Sequence, residues 1–212
     1  MIITKSKPKE VFLRSLEGFE RVFIVGCGTC ATLCQTGGEE EVDAVANLLG
    51  KRTCGKIVVE TPCDIRVLRR DLSPHLDVVD AADVILALCC GSGAQAIGEF
   101  TGKIVIPGLD TLFVGETERI GRFYERCRAC GDCIIHETGG ICPIVRCAKG
   151  LLNGPCGGMA NGKCEAGGHV RDCAWVMIYK RLEEQGIVER FKEIRKVRDR
   201  SKKAEPQELR MR

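Results

Sequence analysis

Apolar residues arrive in short, dense bursts through the first half of the chain and thin out in the second. Arg21-Val-Phe-Ile-Val25, Lys56-Ile-Val-Val59, Asp83-Val-Ile-Leu-Ala-Leu88 and Lys103-Ile-Val-Ile106 are continuous apolar runs of strand length. Uninterrupted runs suit strands covered on both faces. Between them lie stretches of helical spacing. Residues 8–17 carry Val11, Phe12, Leu13 and Leu16 behind Pro8, which suits a first turn. Residues 29–50 place Glu39, Glu40 and Glu41 toward solvent and Val42, Val45, Ala46, Leu48 and Leu49 toward a core, with Gly50 as a stop. Asp64 to Asp71 reads as a helix with Asp64 as N-cap, and Ser92 to Phe100 as another. Asp77-Val-Val79 reads as one more short strand. This alternation predicts an α/β fold over residues 1–115: a Rossmann- or flavodoxin-like parallel sheet with right-handed crossovers.

Past that point the pattern changes. Residues 117–126 are expected to form a helix that leads into Cys127–Cys173. That segment of 47 residues holds eight cysteines, ten glycines and no Phe, Tyr or Trp. So few large apolar side chains cannot offset the ordering entropy by burial. A small cysteine-rich metal-binding domain is therefore expected over 116–185. Ala174, Trp175, Met177, Ile178 and Leu182 then form an apolar helical stripe. A basic helix is expected from Ile187 to Lys203, within a C-terminal segment 186–212. Residues 190–212 hold ten Lys/Arg against four Asp/Glu, whereas the whole chain carries a formal charge of +3. With one aromatic, Phe191, this tail lacks the stacking platform of a nucleic-acid binder. A solvated helix or an arm that docks a partner fits better.

Fifteen cysteines, an odd number, argue against a fully paired disulfide set. There is no apolar leader-like run behind Met1 and no stretch of membrane-span length, so a cytoplasmic chain with reduced thiols is expected. Metal is then the reason for so much cysteine. Cys127, Cys130 and Cys133 form C-x2-C-x2-C, a spacing that can wrap one corner of an iron–sulfur cubane. Cys142, Cys147, Cys156, Cys164 and Cys173 depart from the ferredoxin spacing, and paired cysteines also bind zinc. The first half has its own set. Cys27, Cys30 and Cys34 follow the first parallel strand, Cys63 the second, and Cys90 the strand ending at Leu88. In a parallel sheet these points share the carboxyl edge, where such folds bind ligands. Five thiols compete there for four places. Cys54 lies at the opposite edge, and Cys89 points away from Cys90 into packing.

Gly26-Cys-Gly-Thr-Cys-Ala31 also fits a dinucleotide fingerprint, with Glu60 as its acidic residue, and unligated core cysteines are a third reading. His75 reads as a surface residue. His136 and His169 lie among the cysteines and read as polar loop residues or donors to sulfur, with zinc ligation as the alternative. No carboxylate pair, Ser/His/Asp grouping or phosphate loop is present, and no flavin or folate motif can be read.

The segments CGDC, GGICPIVRCAKGLLNGPCGG, GKCE and DCAW, with VGCGTCATLCQTGGEEEV and CCGSGAQ upstream, carry a resemblance. Over residues 20–190 the chain is similar to the MetV-type small, cysteine-rich iron–sulfur subunit of methylenetetrahydrofolate reductases of acetogens and other anaerobes, which bears the cysteine-rich C-terminal domain of that family. The resemblance implies two or three 4Fe–4S clusters, with zinc as well, and no catalytic residues of its own. It implies a partner: the flavin-bearing catalytic subunit that reduces 5,10-methylene- to 5-methyltetrahydrofolate in one-carbon metabolism and the acetyl-CoA pathway. Ferredoxin or an electron-bifurcating or hydrogenase-type complex would be the donor. Its CGxG motif falls on Cys90. The alternative is a zinc-stapled scaffold module of the reductase complex. The Trp175 helix and the basic helix are the expected docking face.

Overall fold

The computed structural model describes residues 1–199, 201 and 206–211. The chain folds as two compact units, Met1–Tyr124 and Glu125–Arg212.

The first unit is built on four parallel strands: β2 (Val22–Cys27), β3 (Thr53–Val59), β4 (Val84–Leu88) and β5 (Val105–Pro107). Their order is β3-β2-β4-β5. Every residue of β2 and β4 is buried, as their unbroken apolar runs require. Around the sheet lie α1 (Lys9–Ser15), α2 (Cys30–Leu33), α3 (Glu39–Leu49), α4 (Ile65–Leu72), α5 (Leu76–Asp80) and α6 (Gly91–Thr101). Phe12 and Leu16 by the first helix, Val42 and Leu49 of α3, Leu68 and Leu72 of α4 and Ile97 of α6 close the core onto Ile24, Ile85 and Leu86. Asp64 caps α4 by accepting the Arg66 amide. Counted from β2, the strand order is 2-1-3-4, the flavodoxin type, which puts the switch point between the carboxyl ends of β2 and β4.

Four expectations are corrected here. Residues 76–80 are helix rather than strand: they follow α4 through a 3-10 turn at Ser73–His75 and bury Val79 in the core. The helix expected over 29–50 is two: α2 ends at Leu33 with Cys34 as its cap, Gln35 takes a left-handed conformation (φ 53°), and α3 starts after Gly37-Gly38. Gly37 is forced by a backbone contact, since a β-carbon there would collide with the Leu88 carbonyl of β4. The expected helix at 117–126 is a β-hairpin. Strands β6 (Leu109–Arg119) and β7 (Arg122–Cys127) turn at Ile120-Gly121, where Gly121 supplies a φ of 79°. A strand at Ile2–Ser6, β1, pairs antiparallel with β6 and completes a second sheet, β1-β6-β7.

The fourth correction concerns the C-terminal segment. Among the described residues it has a 3-10 stretch, Val188–Lys192, and a further 3-10 position at Ser201; residues 193–199 have no regular secondary structure, and Lys202 and Lys203 lie outside the described residues. The second unit otherwise contains α7 (Pro143–Arg146), α8 (Ala174–Glu184) and many turns. Cys173, Trp175, Ile178 and Leu182 form its small core, backed by Leu151, Ile187 and Phe191. Phe191 packs edge-on against Trp175 and Tyr179, with ring centroids 5.8 and 5.3 Å away, and the Trp175 indole donates to the Leu151 carbonyl at 3.1 Å. Trp175 and Ile178 are therefore spent inside their own unit and do not form a docking face. Among the described residues no helix is long and apolar enough to cross a membrane.

Candidate functional site

Cys27 ends β2, Cys30 opens α2, Cys63 sits in the turn after β3, and Cys90 is the N-cap residue of α6. All four lie at the carboxyl edge of the parallel sheet, with Cys27 at the end of β2 and Cys90 two residues past β4, the two strands that flank the switch point. Their mutual influence is visible at Cys63. Burial pushes its thiol up, and negative charge at Cys90, then at Cys27 and Cys30, pushes it further. The fifth candidate is Cys34. Its thiol donates to the Ile2 carbonyl at 3.8 Å, on β1. The neighbouring Ile2 amide donates to the Cys30 sulfur at 3.5 Å. The Thr29 hydroxyl lies 3.4 Å from the Cys27 sulfur. Thr111 of β6 accepts the Gly91 amide at 2.8 Å, one residue past Cys90. The second sheet thus contacts the cysteine loops directly, and nothing in the strand periodicity announced it.

Cys54 lies near the start of β3, at the opposite edge. Cys89 is fully buried, and burial first, then the charges of Cys90, Cys27 and Cys63, push its thiol far up. It packs as a small apolar group near Gly93 of α6.

The dinucleotide alternative meets three obstacles. A β-carbon at Gly26 would sit 2.6 Å from the Gly37 carbonyl, so this glycine serves a backbone crossing. The cavity beside Gly28, about 480 Å³, is lined by Glu39, Glu40 and Glu41, whose charge repels a pyrophosphate. Glu60 is held by Arg70 at 2.8 Å.

In the second unit the C-x2-C-x2-C loop is tight. Ala129 and Gly131 both have positive φ (46° and 77°), and the Ala129 amide donates to the Cys127 sulfur at 3.2 Å. Cys133 is exposed. Cys130 receives a hydrogen bond from Arg198. Partial burial is the largest influence on that thiol and raises it, but the Arg198 contact and charge, with backbone donors, leave it below the usual thiol range. Cys147, Cys156 and Cys164 each head a turn in which their carbonyl accepts the amide three residues on. The Gly158 amide, then the charge of Lys149, holds the Cys156 thiol below its usual range. Cys142 and Cys173 are the N-cap residues of α7 and α8.

His169 lies 3.2 Å from the Gly158 carbonyl, and His136 pairs with Glu137. Both are exposed, and His75 is half-buried. Among the described residues, no three Cys, His, Asp or Glu side chains converge into a group able to hold a metal ion. By donor chemistry, however, both sets fit: thiols gathered from separate loops, several with a nitrogen donor on sulfur, are the ligand type of iron–sulfur clusters and of structural zinc.

The arrangement is an α/β unit with thiols at its switch point, joined in one chain to a cysteine-rich unit. Residues 106–201 match the family described as methylene-tetrahydrofolate reductase C terminal. The match covers β6, β7 and the cysteine-rich unit as far as residue 201 and leaves Cys27, Cys30, Cys34, Cys63 and Cys90 outside it. No curated protein and no solved structure matches the chain.

Proposed function

We propose that this chain is the electron-transfer subunit of a methylenetetrahydrofolate reductase, passing electrons through 4Fe–4S clusters to the flavin of a separate catalytic subunit. The family match over residues 106–201 supports the reductase assignment. The single observation that carries the redox role is the set of four thiols, Cys27, Cys30, Cys63 and Cys90, on three loops at the switch point. Cys34, hydrogen-bonded to β1, is left out of that set. Cys127, Cys130, Cys133, Cys142, Cys147, Cys156, Cys164 and Cys173 supply the ligands of one or two further centres, with zinc as the other metal these turns could take. A thiolate-bound cluster supplies one-electron chemistry with little rearrangement. The chain's own part is to hold the thiolates, direct amide donors such as those of Ile2 and Ala129 at sulfur, and limit water at the buried Cys27 and Cys90.

The test is anaerobic purification with iron, sulfide and zinc analysis and EPR. A brown protein with absorbance near ~400 nm that bleaches on reduction is expected. A colourless protein with stoichiometric zinc and no sulfide would make the chain a zinc-stapled scaffold instead.

A further inference from the structure

The segment after the Val188–Lys192 turn lies against the cysteine-rich unit in an inverted way. Ile194 and Val197 are 86% and 94% exposed, whereas the side chains of Arg195 and Arg198 are only 17% and 14% exposed. Aliphatic groups facing water and guanidinium groups turned inward are the reverse of what burial of apolar area would select. Polar contacts hold the segment. Asn153 grips the Arg195 backbone twice, its amide donating to the carbonyl at 3.1 Å and its oxygen accepting the N–H at 2.8 Å. Arg195 pairs with Glu137. Arg198 ends at the C-x2-C-x2-C loop. One of its terminal nitrogens donates to the Cys130 sulfur at 3.2 Å and to the Asp132 carbonyl at 2.9 Å, and its Nε lies 3.4 Å from the Asp132 carboxylate. A planar fork that reaches a sulfur, a carbonyl and a carboxylate of one loop is a task a lysine cannot perform.

Resting on the function proposed above, we infer that Arg198 is a positioning residue for the metal centre of the Cys127–Cys133 loop. It ties Cys130 to Asp132 within the loop and places a positive charge beside the sulfur of Cys130. The segment 193–199 is then a strap of the cysteine-rich unit and not an arm for a partner. Two consequences differ in kind. A cation beside a ligating sulfur favours the cluster state that carries one electron more, so it raises the midpoint potential. A loop tied in this way loses metal slowly.

The experiment uses the full chain purified anaerobically, in a Cys90→Ser background so that the centre of the first unit does not contribute. Arg198→Gln and Arg198→Lys are compared with Lys196→Gln, which removes a charge from the same strap without a bond to Cys130. Potentiometric EPR titration and chelator-driven metal release are followed, with hydrogen exchange of α8 as a control for folding. Arg198→Gln is expected to move one midpoint to a more negative value and to speed metal release, with metal affinity lowered about tenfold, the usual scale for loss of an outer-shell partner. Arg198→Lys should recover part of the midpoint and little of the release rate. If the centre is zinc, the release rate alone carries the test. Unchanged midpoint and release in a metal-bearing protein, or an equal effect of Lys196→Gln, overturns this inference and leaves the proposed function standing. A chain with no metal in this unit overturns this inference, and one with no metal in either unit overturns the proposed function as well.

Discussion

The two units solve the problem of holding cysteines in opposite ways. In the first, the thiols sit at the rim of a closed apolar core. Val22 to Val25 and Val84 to Leu88 are almost entirely inaccessible, and the loops that carry Cys27, Cys30, Cys63 and Cys90 inherit their positions from that sheet. In the second, four buried residues form the core, three of them in α8, and the cysteine turns themselves contribute little apolar area. On the proposed function, metal would only decorate a frame that exists without it, whereas it would complete turns that have little core.

The largest effect should therefore come from stripping metal. Anaerobic chelation of the full chain should abolish amide protection through 127–173 while β2 and β4 keep theirs, read by hydrogen exchange with mass spectrometry. Loss of protection in the parallel sheet first would erase the contrast between the units.

Cys90→Ser probes the other side. It should lower iron by one cluster's worth per chain and leave the melting of the first unit close to that of the parent. Cys54→Ser, at the far edge, should leave iron unchanged. Equal iron in Cys90→Ser and parent would remove the switch-point thiols from the metal sites.

A purely structural lesion should do the reverse. Leu86→Ala in β4 deletes a fully buried side chain and should cost about 3 kcal/mol in the first unit. Denaturant titration followed by far-ultraviolet dichroism reads it, and the metal content of the second unit should not move.

The smallest effect is electrostatic. Asp83 accepts the Arg21 and Glu20 amides at 2.8 and 2.9 Å, and these bonds hold its carboxyl below the usual range. A depressed carboxyl stabilises the fold above its unfolded pKa of about 3.9 and ceases to do so as pH falls through the folded value. Asp83→Asn should thus melt slightly below the parent at pH 7, and the gap should close below about pH 4. A gap that persists in acid would mean that the side chain's shape matters and its charge does not.

Much of the first unit was legible because its information is local. Buried parallel strands announce themselves as unbroken apolar runs, and a cysteine just past such a run must lie at the carboxyl edge. What escaped depends on distant partners. Ile2–Ser6 gains its strand character from β6, more than a hundred residues away, and TERIGRFYER is a hairpin because Gly121 turns it and β1 receives it. Its spacing of apolar residues alone was compatible with a helix. Residues 193–199 lack an apolar stripe because Glu137, Asp132 and Asn153 hold them, which no hydrophobic periodicity can reveal. The break at 35–38 was written in Gly37-Gly38, yet only the Leu88 carbonyl gives that pair its reason.

Gly37 has a mechanical consequence. Its carbonyl accepts the Cys27 amide at 2.8 Å, while its α-carbon rests against the Leu88 carbonyl, two residues before Cys90. The two sides of the switch point are thus braced backbone to backbone, with no side chain between them to act as a spring. A strain applied at Cys90 reaches Cys27 through one residue and cannot be absorbed by a change of rotamer. The gap between these two cysteines is a stiff dimension of the fold, and any side chain at position 37 would have to widen it.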